Sequence, residues 1–370
     1  MPTPPPAIVA IGTHVPPNRL AQHEVSDLFA AQPGIGTRAQ RLIHAAFDAS
    51  AIEHRHTVLD GLGGLTGLGG EHAEPGHEGL RIRRGNVLLS PSTAARNDEY
   101  RRLAPGMFAD AARNALTDAA VDAAAVTHVV TVSCTGLSAP GPDMWLVRDL
   151  GLRPDVERYH HGFVGCAAAL PALRVAHRIV VAQPHAVVLV VCAELCSLHL
   201  RVSEDPQQIV AASLFADGAA AAIVTASDRG PRLELGDFST ALLPDGESEM
   251  TWTLGDQGFE MTLSAEVPRI VGREVRRAVE PLLGAHAWAI HPGGRSILDR
   301  VAASLDLDEQ AMAPSRRVLR DYGNMSSATI LFVMRELLHD SRLPDRAVVG
   351  ALAFGPGLTV ETARLRRCSA

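Results

Sequence analysis

The apolar positions fall into short continuous runs separated by longer stretches with helical spacing. THVVTVSC (127–134) is a β-branched run, so it predicts a strand buried on both faces. AVVLVVCAE (186–194) and AVVGALAFG (347–355) have the same character, and AWAI (287–290) is a shorter example. SLFADGAAAAIVTA (213–226) holds a turn and then a strand. Between them, CAAALPALRVAHRIVVA (166–182), SILDRVAASL (296–305) and SSATILFVMRELLHD (326–340) repeat apolar residues at helical intervals. An earlier helix is predicted from PSTAARNDEYRRLAPGMFADAARNALTDAAV, with Ser92 or Thr93 as its N-cap. Strands alternating with helices predict an α/β chain of parallel sheets covered on both faces. The N-terminal portion is the least regular, and DGLGGLTGLGGEHAEPGHEG (60–79) predicts a surface loop rich in Gly and His.

The order of elements repeats at long period. The strand end at Ser133 matches that at His291, the helix opening at Cys166 matches the one at Asn324, and the apolar strand at Val188 matches the one at Val348. The offsets are 158, 158 and 160 residues. Identity between the halves is low, so order and spacing carry the signal of a duplicated α/β unit.

Charge and composition remove several functions. The net charge is −7, without a long run of either sign, and aromatic residues make up 4%. Neither a basic nucleic-acid surface nor a base-stacking platform is indicated. All 34 basic residues are Arg. Without Lys there is no Schiff-base chemistry, no pyridoxal anchor and no P-loop or kinase phosphate lysine. The five Cys are Cys134, Cys166, Cys192, Cys196 and Cys368; Cys192 and Cys196 form a lone CxxxC, a weak zinc signal. The longest apolar run, Ala186 to Ala193, is far shorter than a membrane span of about 20 residues, and the first residues lack a charged n-region. We therefore expect a cytoplasmic protein with free thiols and no membrane span.

Cys166, His291 and Asn324 fall at strand–helix junctions. A Cys at a helix N-terminus is expected to carry a lowered pKa. A His and an Asn amide would supply two donors to a developing oxyanion. Such a set suits acyl transfer through a thioester. Singly, a buried Cys is ordinarily a small core residue and a His before Pro-Gly-Gly a turn residue.

GFVGCAAALPAL around Cys166, WAIHPGGRSILD around His291, DYGNMSSATILFVM around Asn324 and AFGPGLTVET near the C-terminus together resemble the type III polyketide synthases, the chalcone synthase-like family. The resemblance runs from about Pro91 to Arg366, and VSCTG and VCAELCSL look like the bacterial type. It implies a thiolase-like fold of two duplicated α/β halves, with layered sheets and buried helices. The nucleophilic Cys would lie in residues 1–228, the His and Asn in residues 229–370. It implies that Cys166 accepts an acyl starter from coenzyme A. His291 and Asn324 then hold malonyl-CoA during decarboxylation, and His291 helps keep Cys166 as thiolate. Iterated condensation and cyclisation would give a pyrone, resorcinol or phloroglucinol-type product, with acyl-CoA and malonyl-CoA as substrates and no cofactor or metal.

Phe215 and Met261 match the two gatekeeper Phe positions of plant members, and Trp252 falls where those have a small Gly and would narrow the cavity. Cys134, Cys196 and His199 fall on Thr positions of the pocket wall, and Ser326 is placed in the pocket beside Asn324. Ala139 stands where plant members send a Met across the dimer interface, and a homodimer is expected. The basic helix that meets coenzyme A is reduced here to Arg41 and Arg55, and Arg295 is the candidate replacement at the tunnel mouth. That departure leaves room for an acyl carrier protein as starter donor. Two competitors remain: a ketoacyl synthase that condenses once, and a non-catalytic partner subunit with the same fold.

Overall fold

A computed structural model describes residues 3–60, 62, 80, 83–84 and 86–369. Apart from Asp60 and Leu62, the predicted Gly- and His-rich loop lies outside these residues. Nine strands form one sheet among the described residues, in the order Ala287–Ile290, Ala347–Gly355, Thr359–Cys368, Arg232–Leu242, Pro6–His14, Asp217–Ala226, Val187–Leu195, His128–Ser133 and Glu157–Gly162. Only two residue pairs, Ala7 with Glu234 and Ile8 with Leu233, join its two halves.

On either side of that junction the halves mirror each other. Ala287–Ile290 runs parallel to Ala347–Gly355, which is antiparallel to Thr359–Cys368, itself antiparallel to Arg232–Leu242. In the first half, His128–Ser133 runs parallel to Val187–Leu195, which is antiparallel to Asp217–Ala226, itself antiparallel to Pro6–His14. The expectation of purely parallel sheets is therefore corrected. Each half mixes both directions, because an apolar run reports burial on two faces and not strand direction.

Alternate side chains of these strands enter different cores. Val188, Val190 and Cys192 point to a central core, whereas Leu189, Val191 and Ala193 point to an outer one. In the second half Val349, Ala351 and Ala353 join the central core, and Leu352 and Phe354 a third. Two helices, Ala169–Ala182 and Thr329–His339, fill the central core between the half-sheets. The helix Thr93–Ala119 covers the first half, capped by the Ser92 side chain as expected. Helices Val267–Ala278, Arg295–Leu305 and Glu309–Tyr322 cover the second. The result is a helix–sheet–helix–sheet–helix stack. By length and composition Gly165–Ala182 also meets the criterion for a membrane span, which the run-length count passed over; half of it is buried, and Leu170, Leu173 and Val180 belong to the central core.

Candidate active site

The two central helices start from opposite half-sheets, and their N-terminal turns meet. Cys166 sits in the 3-10 turn Gly165–Ala167 that precedes the helix Ala169–Ala182. Gly165 has φ +71°, and a Cβ there would come within 2.4 Å of Pro356 Cδ. That Pro belongs to the Gly-Pro-Gly loop of the C-terminal motif, so the loop fixes the Cys166 turn from the other half. Asn324 precedes the matching 3-10 turn Ser326–Ala328. His291 follows the strand Ala287–Ile290, with its backbone N–H donated to Leu352 O at 2.8 Å.

The side chains converge. Cys166 Sγ lies 3.9 Å from both Oδ1 and Nδ2 of Asn324. Ser326 N–H donates to Asn324 Oδ1 at 2.9 Å, so the amide is oriented with Nδ2 as its available donor; that group also reaches Gly293 O at 3.3 Å. The His291 ring is buried, and neither nitrogen has a protein hydrogen-bond partner among the described residues. An imidazole held this way costs desolvation unless something else meets it. Cys166, His291 and Asn324 share one cavity of about 630 Å³ with Phe215, Met261 and Arg295.

Desolvation dominates the electrostatics of the pair. Burial pushes the Cys166 thiol up to about 11, outweighing the bonds from Ser326 and Asn324 that lower it. Burial likewise lowers His291 to about 3. Burial thus works against the thiolate beside His291 that the family resemblance implies. The α-helix proper begins at Ala169, and Cys166 sits in the 3-10 turn that leads into its N-terminus.

The pocket residues separate into two groups. Phe215 and Met261 line the large cavity and also a side branch of about 30 Å³ with Cys196, His199, Trp252 and Phe259. Trp252 is on the hairpin strand Met250–Gly255, and its Nε1 donates to Cys134 O at 2.7 Å. His199 stacks on Phe259 at 4.1 Å, with its Nε2 2.7 Å from Thr135 O, while its Nδ1 accepts from Phe259 N at 3.1 Å. Trp252 meets both rings edge-on at 88°. This tethered aromatic wall leaves the branch only about 30 Å³, room for no more than a few water molecules. Cys134 lines neither cavity: it is buried behind the Cys166 turn, where its Sγ accepts from Gly165 N–H at 3.0 Å. Ser326 lines neither as well, being buried against the thiol.

Of the candidate coenzyme A contacts, Arg295 lines the cavity and is exposed, pairing with Asp299 at 3.6 Å. Arg41 is exposed on the helix Thr37–Ala49. Arg55 is corrected: it lies on the strand His54–Thr57, only 2% exposed, and cannot reach a phosphate at the surface.

Sequence reasoning missed Phe259, whose signal was the alternation of GFEMTL, and Glu194. Glu194 is fully buried and accepts from Cys134 N–H at 2.9 Å, Thr135 Oγ1 at 3.0 Å and Ser327 Oγ at 2.5 Å. Burial raises its carboxyl to about 7, and it ties the first half to the turn that follows Asn324. A carboxylate inside an apolar run carries no pattern that marks it as a clamp.

The chalcone and stilbene synthase N-terminal domain profile matches residues 81–228, and the C-terminal domain profile matches residues 234–369. Bisdemethoxycurcumin synthase of Oryza sativa subsp. japonica is 31% identical over 397 residues, covering 98% of this chain and 92% of that protein. Probable polyketide synthase 1 of Dictyostelium discoideum is 30% identical over 370 residues, covering 96% of this chain, which spans only 11% of that relative's length. The crystal structure of PKS-I from the brown alga Ectocarpus siliculosus superposes with a TM-score of 0.89 at 26% identity, covering 99% of each chain. With the duplicated halves and the fold they build, these matches place the chain in the chalcone and stilbene synthase family: it is a type III polyketide synthase, an acyltransferase with a thiolase-like fold.

Proposed function

We propose that Cys166, His291 and Asn324 carry out an iterative decarboxylating condensation within the 630 Å³ cavity. The observation that carries this is the meeting of a half-buried thiol with two oriented groups that lack full protein partners, the His291 ring and Asn324 Nδ2. His291 takes the Cys166 proton as sulfur attacks the starter thioester. The departing coenzyme A thiolate recovers that proton. Malonyl-CoA then presents its thioester oxygen to a His291 N–H and to Asn324 Nδ2. Carbon dioxide leaves with the C–C bond electrons retained as the enolate, whose oxygen the two donors stabilise. The enolate carbon attacks the acyl–Cys166 carbonyl, the Cys166 thiolate leaves, and the extended β-ketoacyl chain, now a coenzyme A thioester, is transferred back to Cys166 with release of coenzyme A. Repetition builds the poly-β-keto chain.

The narrow side branch supports a compact product of pyrone, resorcinol or phloroglucinol type, and the lining by Met250, Met261, Leu263 and Ile297 supports an aliphatic starter. Arg295 supplies a cation at the coenzyme A mouth. The burial of Arg55 favours a second reading for starter supply, delivery on an acyl carrier protein. We assign the two halves to residues 1–228 and 229–370, and the active form to a cytoplasmic homodimer. The edge strand Glu157–Gly162 supports the dimer, with exposed Leu137, Met144 and Tyr159 among its surroundings.

Cys166→Ala tests the assignment. It should abolish starter loading and product while leaving malonyl-CoA decarboxylation, because His291 and Asn324 remain. Full product formation in that variant overturns it.

A further inference from the structure

Arg55 is a cation buried to 2% exposure, and its location is unexpected for an Arg that ends a polar stretch. Its Nη1 donates to Ala212 O at 2.7 Å and to Phe215 O at 2.8 Å. These carbonyls close the C-terminal end of the helix Pro206–Leu214, whose next residue is Phe215. The last four carbonyls of that helix are all accounted for. Ala211 O accepts from Phe215 N, Ala212 O from Arg55, Ser213 O from Gln22 Nε2 at 2.8 Å, and Leu214 O from Asn324 N at 2.9 Å. Ala216 N–H returns a bond to Asn324 O at 2.9 Å, which makes the isolated bridge between Phe215 and Asn324.

The Arg55 stem touches the same junction from the other side. A Cβ on Gly323, which has φ +71°, would lie 3.1 Å from Arg55 Cγ and 3.2 Å from Ala216 Cβ. The guanidinium lies over the Phe47 ring at 5.4 Å. Its Nε and Nη2 have no partner among the described residues, so the group is held at a desolvation cost. Burial lowers it to about 10 against the nearby Asp217, so it stays charged at neutral pH, as a cation at a helix C-terminus should.

We infer that Arg55 is a positioning residue for the condensation, capping the helix Pro206–Leu214 so that Phe215 and Asn324 keep their places across the cavity. This rests on the role proposed above for Asn324. Arg55 touches neither substrate nor Cys166; it acts through the carbonyls of Ala212 and Phe215 and through Gly323. Loosening this junction displaces an oxyanion donor, and a shift of about 1 Å costs up to about 100-fold in rate.

The test measures malonyl-CoA decarboxylation in Arg55→Met and Arg55→Lys, with Asn324→Ala as reference. Rates are normalised to the folded fraction from near-ultraviolet circular dichroism and to Cys166 alkylated by iodoacetamide under native conditions. Arg55→Met is expected to lose about 10- to 100-fold in kcat. KM for malonyl-CoA should stay within about twofold, because the Arg295 mouth is untouched. Arg55→Lys, which keeps the charge and one donor direction, should lose only about three- to tenfold. A merely structural Arg would lower the folded fraction without lowering the normalised kcat. If Arg55→Met does not accumulate as folded protein, Arg55→Lys decides: a threefold or larger loss supports the inference, and an unchanged rate overturns it. Normal decarboxylation in Asn324→Ala would instead overturn the site assignment, whereas a loss there with a normal rate in Arg55→Met overturns this inference alone.

Discussion

Replacing Trp252 by Ala removes the plug of the side branch, and the structure sets both its cost and its effect. The substitution gives up two edge-to-face contacts, with His199 at 5.8 Å and Phe259 at 5.7 Å, and the 2.7 Å bond to Cys134 O. At about 1 kcal/mol for each aromatic contact and about 1 kcal/mol for the hydrogen bond, the loss is about 3 kcal/mol. The protein should stay folded, with a lower melting temperature. The branch grows from about 30 Å³ toward the roughly 150 Å³ that large-to-small core substitutions can leave. Its remaining wall is rigid, because both His199 nitrogens are engaged by backbone groups and Phe259 stacks on the ring. A pocket one or two methylenes deeper discriminates by about 10- to 200-fold. Competition assays with short and long acyl-CoA starters, read by liquid chromatography and mass spectrometry, should therefore shift at least tenfold toward the longer chain, or show an added ketide unit. Trp252→Phe keeps a ring in place without the N–H donor and should retain the wild-type profile. An unchanged product distribution in a folded Trp252→Ala protein would refute the view that this wall limits chain size.

His291→Ala and Asn324→Ala should each reduce malonyl-CoA decarboxylation by about 10²- to 10³-fold in a radiolabelled carbon dioxide assay, one oxyanion donor being lost in each. With burial pushing the Cys166 thiol up to about 11, native iodoacetamide alkylation should rise about tenfold per pH unit from 7 to 10; a plateau already reached at pH 7 would show a thiolate and contradict that upward push. His291 titrates near 3 when folded, below its ordinary 6.5, so the unfolded chain binds the extra proton between those values. Its contribution to stability is complete above about pH 6.5 and falls as pH drops toward 3, and melts of His291→Gln should show a shallower acid slope. Arg295→Ala should raise KM for malonyl-CoA several-fold with little change in kcat, measured at low salt, where exposed charges act most strongly.

The elements with continuous apolar character were legible nearly to the residue. Ala287–Ile290 and Ala347–Gly355 begin and end where the side-chain pattern places them, and Ser92 caps its helix as its type and position suggest. The strand Pro6–His14 was not legible, although it is the one that joins the halves. Prolines flank it, and a register shift between Ile8 and Ala10 breaks its alternation. Strand direction was equally hidden, because burial on two faces produces the same run in either sense. At the site, Cys166, His291 and Asn324 could be picked out because the four motifs around them resemble the family; singly each reads as an ordinary core or turn residue. Their protonation could not, since it depends on burial by residues distant in sequence. The same holds for Arg55, whose charge suggests solvent while its partners, at 212 and 215, come from another layer.

The most direct test of iterative extension at Cys166 is product profiling by mass spectrometry, with malonyl-CoA alone and with short, long and aromatic acyl-CoA starters. Wild-type enzyme should yield products carrying two or more added ketide units, and Cys166→Ala should yield none. A product that stops after one condensation, or product formation that persists without Cys166, would contradict the account.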